Sequence, residues 1–180
     1  METFRNALEF DAWLSEHHGD RDEVWLMIAK KGSAHGTVTI GEAGDVALCH
    51  GWIDSRRKGF DADFYLQRFS PRRAGSPWSQ VNVRRVERLS AEGRMRPAGL
   101  AEVDKAKADG RWDAAYAPQA TAEVPADLQA RLEADPRARA AFDALGKTER
   151  YLVILDLLKA RTPEVRATRL DRALAALIRP

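Results

Sequence analysis

Apolar positions recur at helical spacing near the start of the chain. Phe4, Leu8 and Ala12 fall on one face, with Trp13 and Leu14 beside them. This pattern predicts a helix from Phe4 to His18, closed by Gly19. The run Val24–Ala29 is short and almost unbroken in its apolar character. Its length and its β-branched and aromatic content predict a strand buried on both faces. A glycine-containing loop over residues 32–36 follows. It lacks the Gly-Lys-Ser/Thr ending of a phosphate loop, and His35 within it is expected to be exposed. Thr39 with Glu42 three residues on has the form of a capping box. It opens a helix from Ile40 to about Cys49 that buries Ile40, Ala43, Ala47 and Leu48, and Gly51 breaks it. Trp52–Lys58 and Phe64–Ser70 read as two strands of a hairpin. In the first, Trp52, Asp54 and Arg56 share one face, and Ile53, Ser55 and Arg57 the other.

Pro71 stops the second strand. Ser76 as N-cap and Pro77 at the first helical position predict a helix to about Ala91. Its inner stripe holds Trp78, Val81, Val86 and Leu89, with Asn82 and Arg85 in the same stripe. A further helix over 98–109 buries Leu100, Val103 and Ala106, and Gly110 caps it. Asp113–Val124 is rich in Ala, Pro, Gln and Thr and reads as a linker. Beyond it every apolar pattern is helical, as in Ala138, Ala141, Phe142 and Leu145, or Leu170, Leu174 and Leu177. The expected fold class is therefore α+β: a core over 1–115 with a small antiparallel sheet flanked by helices, a linker over 116–124, and a helical domain over 125–180. The short connections of the last part imply antiparallel neighbours, packed on the core or on a second copy of the chain in a homodimer.

Composition narrows the function classes. An apolar fraction of 44% in 180 residues supports a globular fold without staples. The net charge of +2, from 29 basic and 27 acidic residues, is too balanced to argue for nucleic acid. The single cysteine, Cys49, excludes a disulfide framework and a cysteine-based zinc site. The adjacent His17 and His18 cannot both face one metal from a helix, so no metal and no cofactor is expected. The acids Glu2, Glu9 and Asp11 argue against a signal peptide, and no apolar run is long enough to span a bilayer. The expected compartment is the cytoplasm.

The candidate chemistry lies between Ala47 and Asn82. Arg68, Arg72 and Arg73 lead into the predicted helix start at Ser76, where forked donors and free N–H groups together suit an anion. A structural alternative pairs these arginines with Asp54, Asp61, Asp63 or Glu87. Trp52 and Trp78 are read as ligand-stacking rings or as core aromatics. Asp54 is read as an acid–base group or as an anchor for an arginine. Ser79 near His50 has no nucleophile elbow, and no acid is evident behind His50. The candidate ligand-binding set is Trp52, Asp54, Arg72, Arg73, Ser76, Trp78, Ser79 and Asn82, with no catalytic residue assigned. Cys49 reads as a buried small hydrophobe.

The segment Ala47-Leu48-Cys49-x-Gly51-Trp52-Ile53-Asp54, followed by Pro71-Arg72-Arg73 and Ser76-x-Trp78-Ser79-x-x-Asn82, resembles the YdeI/OmpD-associated family. Gly93-Arg94-Met95-x-Pro97-Ala98-Gly99 and Gly110-Arg111-Trp112 are similar to it as well. His50 stands where that family usually has an aromatic. Glu164-Val165-Arg166 and Thr168-Arg169 replace an expected Glu-Thr-Arg and a paired Arg-Arg. The resemblance implies association with porins and protection against bacteriocins or antimicrobial peptides. The leading expectation is a non-catalytic protein that binds an anionic small molecule or a protein partner during envelope stress. The alternatives are an enzyme on a phosphorylated or carboxylated small molecule, and a weak nucleic-acid binder through Arg68–Arg96, which Glu87 and Glu92 oppose.

Overall fold

A computed structural model of the protein describes residues 1–179. The fold is α+β, with one three-stranded antiparallel sheet and a C-terminal region made of helices only. The chain divides into two compact units. The first comprises Met1–Trp78 and Asn82–Ala114, and the second comprises Ser79–Val81 and the chain from Ala115 onward.

The first unit contains α1 Ala7–His17, β1 Val24–Ala29, α2 Ile40–Cys49, β2 Trp52–Gly59, β3 Phe64–Pro71, most of α3 Gln80–Ala91, and α4 Pro97–Ala108. The sheet order is β1-β3-β2, so β3 is central. Val24, Leu26 and Ile28 of β1 stand opposite Phe69, Gln67 and Tyr65 of β3. Val24, Leu26, Ile28 and Phe69 join Phe10, Leu14, Val46 and Trp52 in one apolar cluster, and Tyr65 packs against it. β1 is thus buried on one face only, not on both. Trp25, Met27 and Ala29 lie on the other face and are half-buried. A bulge in β2 between Asp54 and Arg57 breaks the expected alternation. Asp54 faces Phe69 and Arg57 faces Gln67, so both lie on one side of the ladder.

The capping box of α2 is present: the Thr39 side chain accepts from Glu42 N, and Glu42 accepts from Thr39 N at 2.9 Å. Three helix expectations need correction. α1 begins at Ala7, because the Asn6 side chain caps it by accepting from Glu9 N. It turns Phe10 and Leu14 inward and leaves Leu8 79% exposed, and His18 rather than Gly19 ends it. α3 begins at Gln80, not at Pro77, so Ser76 caps no helix. Residues 76–78 stay outside the helix, where Trp78 is buried and Pro77 O accepts from the Arg72 guanidinium at 2.9 Å. Val81 is consequently exposed. In α4 the buried positions are Gly99, Val103 and Ala106, while Leu100 is exposed.

The orientation of α4 follows from Gly99. A Cβ there would lie 2.2 Å from Cys49 O, so only a bare backbone fits against the end of α2. Gly51 meets α4 as well: its φ is 75°, and a Cβ on it would stand 3.0 Å from Ala98 O. Along α2, Asp45 accepts from Arg85 Nε at 2.7 Å and from Arg88 at 2.5 Å, clamping α3.

The second unit contains α5 Ala126–Ala134, α6 Pro136–Ala144, α7 Lys147–Leu158 and α8 Pro163–Leu177. Leu128, Leu132, Phe142, Ile154, Leu157 and Leu170 form its core. Asp135 caps α6 and Thr162 caps α8. The Arg166 guanidinium holds Asp127 through both carboxylate oxygens, at 2.6 and 2.8 Å.

Candidate functional site

The residues expected to bind a ligand are spread through differing surroundings. Trp52 is 1% exposed; its indole N–H donates to His18 O at 3.2 Å, and Trp13 meets it edge-on. Trp78 is 2% exposed. The Arg72 guanidinium covers its ring at 3.8 Å, and Trp112 packs at 5.0 Å. Arg72 is itself buried. Ser76 supplies its carbonyl to Arg111 at 2.9 Å. Arg72, Ser76 and Trp78 are thus drawn into one knot, whereas Arg73 is exposed. Asp54 is exposed on β2, and its side chain makes no hydrogen bond or ion pair among the described residues; it orients no arginine. Ser79 bridges Tyr116 in the second unit, and Asn82 lies half-buried on α3. Without a helix start at Ser76, the anion pocket expected there loses its oriented N–H donors.

A different constellation gathers at the C-terminal end of α2. His50 ends α2 and is 4% exposed. Its Nε2 lies 2.8 Å from Asp11 Oδ1, and the other carboxylate oxygen of Asp11 accepts from Arg96 at 2.7 Å. An acid does therefore stand behind His50. The expectation of none fails because Asp11 arrives from α1, 39 positions away. An ionised carboxylate only accepts, so neutral His50 carries its proton on Nε2. Its Nδ1 is left as a buried acceptor without a hydrogen-bond partner. Burial lowers the His50 pKa, and it prevails over the opposing pull of Asp11. Burial pushes the Asp11 carboxyl up, but hydrogen bonds from His50 and Arg96 and the Arg96 charge outweigh it and leave the pKa lowered.

Two clefts meet at Arg96. One, of about 250 Å³, is lined by Ser15, His18, His50, Arg96, Pro97 and Ala98. The other, of about 270 Å³, is lined by Asp11, Cys49, Arg94 and Arg96 among others. The Arg96 side chain is 51% exposed. Its backbone is fixed by donation to Cys49 O at 3.1 Å. His18 Nδ1 lies 3.0 Å from Leu14 O, which only accepts, so Nε2 is the nitrogen left for other partners. Cys49 is 2% exposed, and burial pushes its thiol up to about 11, as a small hydrophobe requires. No cluster of three or more metal-ligating side chains occurs among the described residues, and none of their helices is long and apolar enough to cross a membrane.

Residues 2–102 match the model of a family described as a domain of unknown function (DUF8412). Residues 121–179 match the model described as Bacteriocin-protection, YdeI or OmpD-Associated. No curated protein and no solved structure gives a match.

Proposed function

The chain belongs to the DUF8412 family through residues 2–102 and carries the bacteriocin-protection, YdeI or OmpD-associated match in its helical unit, and on that premise we propose a non-catalytic anion-binding protein acting in bacteriocin protection or envelope stress. The observation that supports this reading most is Arg96. It anchors one nitrogen on Asp11 while half its side chain faces two adjoining clefts. Arginine stays charged and offers a planar fork that matches carboxylate or phosphate. Arg94, which also pairs with Glu92 at 3.2 Å, lines one cleft, and His18 adds a polar nitrogen to the other. The volumes suit an inorganic anion or a small carboxylate.

The test is a melting-temperature series with phosphate, sulfate and succinate. Bound anion stabilises the fold by mass action, by about 2.7 kcal/mol at a hundredfold excess over Kd, and so raises the melting temperature. Arg96→Gln should abolish that response while the protein remains folded. Unchanged melting in all three anions, or a variant that responds like its parent, overturns the reading.

One observation favours a second reading. The Nδ1 lone pair of His50, on a ring oriented by Asp11, is arranged as a general base would be. On that reading the protein transforms a carboxylated small molecule held by Arg96. Turnover in a substrate screen that disappears in His50→Gln distinguishes it from simple binding.

A further inference from the structure

A cavity of about 490 Å³ lies wholly inside the helical unit and shares no lining residue with the Arg96 clefts. This volume falls in the range of about 300–1,000 Å³ that accommodates small molecules. Its apolar lining comes from Val124, Leu132, Phe142 and Ile154. Leu132, Phe142 and Ile154 also belong to the buried core of the unit, so the floor is part of its packed interior.

The polar lining is unbalanced in charge. Arg139, Lys147 and Arg150 face a single acid, Asp143. Arg139 already pairs with Asp143 at 2.7 Å. Arg150 is held otherwise. Its Nε donates to Leu145 O at 3.0 Å and an Nη donates to Asp143 O, so its partners are carbonyls that leave its charge uncancelled. The guanidinium carbon lies 6.0 Å from the centre of the Phe142 ring, beside the apolar floor. Lys147 is exposed and makes no ion pair among the described residues. The Tyr151 hydroxyl is already donated to Ala117 O.

We infer that this cavity binds an amphipathic organic carboxylate, with its head between Arg150 and Lys147 and its apolar body against Leu132, Phe142 and Ile154. An inorganic anion would leave the floor unfilled, and a cationic peptide would meet two like charges at the mouth. An uncharged apolar molecule would leave both cations without a counter-charge.

Calorimetric titration of the full chain with octanoate, octan-1-ol and acetate tests the inference. One saturable octanoate site is expected, with octan-1-ol at least about tenfold weaker and acetate without measurable heat. Arg150→Gln should weaken octanoate about tenfold or more. Because Arg150 also ties two carbonyls, the exposed Lys147→Glu serves as a second variant, and it should weaken octanoate without lowering the melting temperature. Equal affinity for octanoate and octan-1-ol overturns the inference, as does the absence of a saturable site. Parental octanoate binding in both variants overturns it too.

Discussion

Asp11 and His50 lie 39 positions apart, yet their side chains meet at 2.8 Å, and the histidine is buried with its other nitrogen unpartnered. Burial lowers the His50 pKa against the pull of Asp11, and this makes the buried imidazole a source of pH-dependent stability. The unfolded chain takes up the proton first, near the ordinary value of about 6.5, while the folded chain resists it. The contribution of His50 is therefore complete above about pH 6.5 and is lost as the pH falls from there toward the lower folded value. Relative to His50→Asn, the parent should lose melting temperature between about pH 7 and about pH 5. Parallel curves for parent and variant would show that His50 is not the group responsible.

Asp45 gives a dependence at lower pH. Burial raises its pKa, but the hydrogen bonds from Arg88 and Arg85 outweigh burial and leave it lowered. The unfolded value is about 3.9, so the clamp stabilises above that pH and weakens as acidification passes the lower folded value. Asp45→Asn should cost about 1–3 kcal/mol at neutral pH by denaturant titration. The gap to the parent should close as the medium approaches about pH 3 or below. A gap that stays constant with pH would assign the cost to packing instead.

Trp78→Ala should destabilise the fold by about 3–5 kcal/mol, because it empties a site that is 2% exposed and removes the ring under Arg72. Trp78→Phe should cost markedly less. The indole N–H it removes is buried without a hydrogen-bond partner, so the lost volume carries a relief with it. Equal costs for the two substitutions would mean that the volume of the ring is not what stabilises the site.

Cys49 should resist alkylation by iodoacetamide at about pH 8 in the folded protein and react promptly in denaturant. The reason is a thiol that is 2% exposed and pushed up to about 11 by burial. Rapid labelling under native conditions would reveal opening of the α2 end.

Local signals carried most of the fold. The Thr39–Glu42 box, the β2–β3 hairpin and the helical periodicity after Pro125 each act within a few residues, and each stands where the spacing put it. The misses occur where a distant partner decides. Ser76-Pro77 has the form of a helix start, but burial of Trp78 and the bond from Arg72 to Pro77 O hold that stretch out of helix. Leu100 fits an apolar stripe, but the close approach of Gly99 turns it outward. The Asp11–His50–Arg96 cluster draws on α1, the end of α2 and the residue before α4, with no spacing motif to announce it. A polar histidine inside the apolar end of α2 was the one available hint.

The carbonyl of Cys49 serves the Arg96 backbone and also sets the clearance at Gly99. Random substitution scored for anion response should therefore register position 99 as sharply as position 96, although glycine contributes no functional group. The two defects differ in kind, because one removes a guanidinium and the other moves the backbone that carries it. Guanidinium ion added at low concentration should restore a response to Arg96→Gly, whose missing group it replaces. It should do nothing for Gly99→Val, where the charge is present and misplaced.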